Sequence, residues 1–211
     1  YGTWLLQQKT TEKIKVVIGR DGRISGAMVQ SIVSNTLMAL GIDVIDLDLS
    51  TTPTVEVAVP MEKAQAGIIL TASHNPKQWN ALKLLNEKGE FISGKDGEEV
   101  LAMAESNDFS YAEVDDLGSY QKDDSYLQKH IDAVLNLPLV DVNLIKSANF
   151  KVAIDCVNST GGIFLPALLK ALGVNNVLEL YCIPNGVFPH NPEPLPENLT
   201  EISAQIKTQK A

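Results

Sequence analysis

The sequence predicts an α/β protein of two consecutive α/β/α sandwich domains with mixed, mainly parallel sheets. β-rich runs alternate with helical patterns, the third such run is apolar almost throughout, and the composition turns polar and acidic after Ser106. Alternating strands and helices favour sheets covered by helices. A strand buried on both faces loses its alternation of apolar and polar residues.

The elements follow in order. Tyr1 to Gln8 runs into a helical pattern, and Ile14 to Ile18 (IKVVI) is a short strand ending at Gly19. Ser25 caps a helical pattern through Met28, Ile32, Val33, Thr36, Leu37 and Leu40, closed by Gly41. Asp43 to Leu49 reads as a strand, Thr52 to Ala64 as a helix opened by Pro53, and Ala66 to Ala72 as the apolar strand. Ala81 to Ser93 predicts a hairpin around Lys88-Gly89, and Lys95 to Glu105 a helix. The polar stretch after Ser106 predicts a connection, giving expected domains at 1–107 and 123–211 joined by 108–122. Beyond it come a helix at Tyr126 to Leu135, a strand at Lys151 to Val157, a helix at Gly162 to Leu172 and a strand at Val177 to Ile183. A proline-rich segment then leads into a helix from Glu197.

Charge and composition narrow the function classes. Lys plus Arg is 17 against 26 Asp plus Glu, a net charge of -9, which argues against nucleic acid or anionic membrane as partners. An anionic ligand then needs a local basic pocket. No apolar run approaches the roughly 20 residues that span a bilayer, and no signal peptide is recognised at the start. Cys156 and Cys182 both sit in apolar runs and read as inert buried thiols, so the expected compartment is reducing and cytoplasmic. The chain starts at Tyr1 and ends at Lys210-Ala211 inside a helical pattern, and the expectation is a piece cut from a longer protein.

In open α/β sheets ligands bind beyond the carboxyl ends of the strands. Two loops occupy that place in the first unit: GRDGRISG, Gly19 to Gly26, and SHNPKQWN, Ser73 to Asn80. A surface ion network accounts equally well for Arg20, Asp21 and Arg23. A dinucleotide fingerprint does not fit, because glycines at 19, 22 and 26 miss the G-x-G-x-x-G spacing. Ser73 is open to three readings. A turn residue needs no chemistry, a hydrolase nucleophile wants a G-x-S-x-G elbow that is absent, and a phosphoryl carrier suits the neighbouring arginines and lysine best. Asp46-Leu47-Asp48 alternates along a strand and reads as a solvated face rather than a metal site.

These residues also carry a resemblance. TASHNP followed by WNALK resembles the phosphoserine loop of the α-D-phosphohexomutases, the phosphoglucomutase and phosphomannomutase superfamily. VVIGRDGRISG, VAIDCVNSTGG and GVFPHNPEPLPENL resemble three further segments of that family, so the likeness runs over nearly the whole chain. Ala81 stands where the family usually has glycine.

The resemblance implies a mutase that interconverts hexose 1-phosphate and hexose 6-phosphate through phosphoserine at Ser73 and a hexose 1,6-bisphosphate, which also serves as activator. Ser73 becomes the phosphocarrier and this chain's one magnesium ligand. Lys83 and His74 become candidates for proton transfer, Arg20 an electrostatic supporter, and Arg23, Asn75 and Asn80 candidates for binding substrate or phosphate. The magnesium loop of D-G-D-x-D-R type and the N-terminal F-G-T-x-G-x-R-G segment are missing from the sequence, as are the later sugar-reading domains. The expected partners are a phosphorylated hexose and the missing C-terminal domains of the same polypeptide, and the piece alone is expected to be inactive. Phosphoglucosamine mutase is the alternative substrate reading. A catalytically silent, mutase-like binding protein is the alternative of another class.

Overall fold

A computed structural model describes residues 1–8, 13–107 and 109–209. In chain order it holds α1 (Gly2–Gln7), β1 (Lys15–Arg20), α2 (Gly26–Ala39), β2 (Asp43–Leu49), α3 (Thr52–Met61), β3 (Ala66–Leu70), β4 (Leu82–Leu85) and α4 (Gly94–Ser106). There follow β5 (Tyr120–Lys122), α5 (Tyr126–Leu135), α6 (Val142–Ser147), β6 (Lys151–Asp155), α7 (Gly161–Ala171), β7 (Asn176–Leu180) and α8 (Thr200–Gln209). The start of the expected connection, at 108, and the chain end at 210–211 lie outside the described residues.

Alternation along β1 sorts the first core. Val16 and Ile18 point to one face with Leu37, Leu40 and Leu5, while Val17 points to the other with Val55, Val59 and Ile69. A five-stranded sheet in the order β4-β3-β1-β2-β5 therefore has α2 on one side and α3 on the other. The pairs β1 with β2, β1 with β3 and β2 with β5 are parallel, and β3 with β4 is antiparallel. Each fully buried Val or Ile of this kind contributes about 1.5–3 kcal/mol. The second unit has β6 and β7 paired in parallel. Its α5 buries Tyr126 among the α3 side chains, with the hydroxyl donating to Glu62 at 2.6 Å.

Several expectations are corrected. The hairpin at Lys88-Gly89 keeps its turn, with Gly89 at φ +78°, but Leu82 to Leu85 pair with β3 instead. Across that turn the pairing is short, a bridge from Leu85 to Phe91 flanked by main-chain bonds from Asn86 to Glu90 and from Ile92 to Leu84. Burial decides this, because Leu85 is completely enclosed beside Gly67. The expected connection is fastened to the first unit: Tyr120 to Lys122 extend its sheet, and the Ser119 amide and hydroxyl both donate to Asp43. Main-chain pairing and polar contacts hold this exposed strand, so no apolar pattern announces it. Asp46 is buried, accepting bonds from Gln30 and Tyr120, and is no solvated face. Ser25 precedes α2 without capping it. The pattern missed α6, a single short helix capped by Asp141, which accepts from the Leu144 amide at 2.9 Å.

The two units approach each other beyond the carboxyl ends of β1 and β6. The Gly22 amide donates to the Ser159 hydroxyl at 3.1 Å, and within the second unit the Gly186 amide donates to the Asn158 carbonyl at 3.0 Å. Gly186 has φ +72°, and a Cβ there would lie 2.1 Å from the Gly22 carbonyl oxygen. Gly186→Ala is expected to lower stability by about 2–4 kcal/mol, combining left-handed backbone with forced separation. Gly94→Ala, where no atom lies within 4 Å, is expected to change it by less than about 0.5 kcal/mol. Urea midpoints of the two variants test this, and equal midpoints would refute it.

Candidate active site

Because β1 and β3 are parallel neighbours, the loops leaving their carboxyl ends lie side by side. Asp21 ties them together. Its amide donates to the Leu70 carbonyl at 3.0 Å, and its carboxylate accepts from Thr71 Oγ1 at 2.7 Å and from Arg23 N and Nε at 2.9 Å each. Thr71 Oγ1 in turn accepts from the Ser73 amide at 3.0 Å.

Arg23 is wholly buried at its side chain, and every donor of its guanidinium is used. Nε serves Asp21, Nη1 the carbonyls of Pro76 and Trp79 at 2.9 and 2.8 Å, and Nη2 the carbonyls of Ser73 and Asn75 at 2.9 and 2.8 Å. Five donors in a fixed fork thus fold the Ser73 loop around one side chain. Buried and with every donor engaged, Arg23 holds the loop together. The Phe188 ring of the second unit covers its guanidinium carbon at 5.2 Å.

The consequence of this scaffold is the backbone at Ser73. Its φ is +56°, a left-handed conformation that costs a residue with a Cβ roughly 1–2 kcal/mol. The Ser73 side chain is thereby exposed at the rim of a cleft of about 490 Å³ between the two units. Thr71, Ser73 and His74 line it from the first unit, Asp155 and Thr160 from the second.

His74 Nδ1 lies 3.4 Å from Ser73 Oγ, and His74 Nε2 lies 3.0 Å from Glu193 Oε2 of the second unit. The Asn75 amide nitrogen donates to the Ala72 carbonyl at 2.9 Å, so this side chain closes the turn. Asn80 joins the two loops, donating to Ser25 Oγ at 3.0 Å. Lys83 is half-buried on β4 opposite Ile69, with its ammonium 5.7 Å from the Phe91 ring centroid. Arg20 makes its side-chain bonds to α2 and β2. It donates from Nε to Gln30 at 2.7 Å and from Nη2 to Asp48 at 2.5 Å, and among the described residues no hydrogen bond joins it to the Ser73 loop. Its charge is balanced at β2.

The second unit brings groups that the sequence reading passed over. Asp155, at the end of β6, pairs with His190 Nε2 at 2.8 Å, and the Tyr181 ring packs edge-on to that imidazole. Partial burial opposes the imidazolium, but the Asn191 carbonyl, the Asp155 carboxylate and the charge of Glu201 outweigh it, so the His190 pKa is raised. Val157 and Asn158 follow at φ +44° and +55°, a second left-handed stretch facing the first loop. Burial, with the neighbouring Cys182 thiol, pushes Cys156 up to about 12, in keeping with an inert thiol. His190 and Glu193 lay inside a segment singled out by resemblance alone, where proline spacing hides the partners of each side chain.

Sequence models of the family agree with this architecture. Phosphoglucomutase/phosphomannomutase, alpha/beta/alpha domain I, matches residues 1–111, and domain II of the same family matches residues 128–211. The chain belongs to the phosphoglucomutase/phosphomannomutase family. A Thermococcus kodakarensis protein named "Phosphoglucomutase/phosphomannomutase" is 37% identical over 208 residues, covering 98% of this chain and 44% of that protein. A Methanosphaera stadtmanae protein named "Probable phosphoglucosamine mutase" is 34% identical, over 93% of this chain and 43% of its own length. Among solved structures, a phosphoglucomutase/phosphomannomutase family protein from Burkholderia thailandensis superposes with a TM-score of 0.82 at 28% identity, over 100% of this chain and 44% of that one. The chain thus spans less than half the length of the family members it matches. No helix among the described residues is long and apolar enough to cross a membrane.

Two outcomes follow. Arg23→Lys leaves three donors where five were used, and is expected to lower stability by about 3 kcal/mol and speed amide exchange at Asn75 and Trp79. Exchange unchanged at both amides would refute the scaffold role. For His190, the raised pKa means a stabilising pair that is fully present below about pH 6.5 and lost as pH rises through the folded value. The unfolding free energy of the wild type minus that of His190→Asn should therefore shrink from pH 5.5 to 8.5, and a difference that grows with pH would contradict it.

Proposed function

We propose that the protein to which this chain belongs is a phosphohexomutase that interconverts hexose 1-phosphate and hexose 6-phosphate through phosphoserine at Ser73 and a hexose 1,6-bisphosphate. One observation carries the reading: Ser73 is exposed on a left-handed backbone at the rim of an interdomain cleft, on a loop whose carbonyls are held by a buried arginine. A carrier must present its oxygen to solvent-borne substrate without moving during transfer, because phosphoryl transfer depends mainly on positioning and charge stabilisation. His74 and Lys83 are the chain's own candidates for handling the hydroxyl proton. Asn75 and Asn80 support the loop and leave substrate recognition largely to other parts of the longer polypeptide.

The substrate is glucose or mannose phosphate on the likeness to the Thermococcus relative, and the Methanosphaera relative favours glucosamine phosphate as the alternative. Magnesium belongs to the reading through phosphorylated Ser73. The described residues do not supply the rest of a site, since no group of three His, Cys, Asp or Glu among them is placed to hold a metal. No step is drawn through the ion here. Two free cysteines agree with a cytoplasmic setting.

Peptide mass spectrometry of the longer protein, after incubation with a hexose 1,6-bisphosphate and magnesium, should find one phosphoryl group on Ser73 that hexose monophosphates chase off. The best chaser names the substrate. Ser73→Ala should abolish both labelling and isomerisation, and an unmodified Ser73 under every sugar tried would favour a silent binding protein.

A further inference from the structure

We infer that Glu193 is a positioning residue for His74, an inference that rests on the mutase reading above for its catalytic meaning. The carboxylate oxygen lies 3.0 Å from His74 Nε2, while Nδ1 of the same ring faces Ser73 Oγ at 3.4 Å. A carboxylate accepts only, so Nε2 must be the nitrogen that carries hydrogen. Nδ1 is then left as an acceptor toward the Ser73 hydroxyl. An imidazole whose ring and tautomer are fixed by a third group is the arrangement that makes a neighbouring hydroxyl a usable nucleophile.

Without the second unit nothing described would hold this ring. His74 is exposed on the rim, and its bonds are those to Ser73 and Glu193. Glu193 is well placed to be rigid, because Pro192 and Pro194 flank it and fix their own φ angles. The same segment is anchored twice more: Phe188 lies over the Arg23 guanidinium, and His190 is bonded to Asp155. The second unit therefore reaches across the cleft and sets the orientation of a first-unit side chain.

The role in the reaction is limited and balanced. When a phosphoryl group returns from the sugar bisphosphate to Ser73, the Oγ–P bond forms as the bond from phosphorus to the sugar oxygen breaks. The proton of Oγ leaves to Nδ1, the leaving sugar oxygen takes a proton from water, and the imidazolium returns its proton to solvent, so no net proton is gained or lost. Glu193 exchanges none of these atoms. It keeps Nδ1 turned toward Oγ.

The test uses two readouts. Side-chain nitrogen NMR of the 211-residue chain, which has three histidines, should show His74 in the Nε2–H form in the wild type. Glu193→Ala should give a mixture of tautomers, and Glu193→Gln should restore the wild-type form because its amide oxygen still accepts. In the longer protein, phosphoryl uptake by Ser73 from a hexose 1,6-bisphosphate should slow about tenfold or more in Glu193→Ala and recover to within about threefold of wild type in Glu193→Gln. Because Glu193 is partly exposed, neither change disturbs a core. Spectra that ignore the substitution overturn the inference, as do spectra that respond while uptake does not. A wild-type protein that takes up no phosphoryl group overturns the mutase reading instead, and with it the catalytic meaning of the pair.

Discussion

The guanidinium of Arg23, buried with all five donors spent, is the constraint on which the site is built. Removed from water, it has to be matched donor for donor, and the match is made almost entirely by carbonyl oxygens of one loop. Backbone that converges on a single point cannot also be extended, so the loop turns tightly. The left-handed residue at Ser73 is the local cost of that turn. Asp21 completes the arrangement by balancing the charge and binding Thr71, which links the strand end below to the serine above.

The second unit repeats the device with different chemistry. Left-handed Val157 and Asn158 turn the chain sharply beyond β6, where a β-branched residue is disfavoured, and the close approach of Gly22 and Gly186 holds the two turns together. Strain at both lips of the cleft is held by the same seam.

Much of this was legible in the sequence for an identifiable reason. β2 and α5 fall where the pattern placed them, because apolar residues report burial: α5 buries one face, and β2 is enclosed over four consecutive residues. β5 escaped, since its three residues are exposed and held by main-chain pairing and by Asp43 and Asp46. At the cleft, spelling singled out Ser73 and His74 but not what each one touches, and Lys83 lies on β4 beside Phe91 rather than among the cleft's lining residues. Arg20 and Arg23 look alike in the sequence, yet one faces Asp48 and the other closes a loop, and only the direction of each side chain from its strand end separates them. Glu193 is invisible to any local rule, because its partner is 119 residues earlier in the chain.

The contact between Gly22 and Gly186 has a further consequence. The Gly22 carbonyl comes so close to Gly186 that any side chain at 186 would push the two units apart, so the absence of a Cβ at one position sets how near the cleft walls can stand.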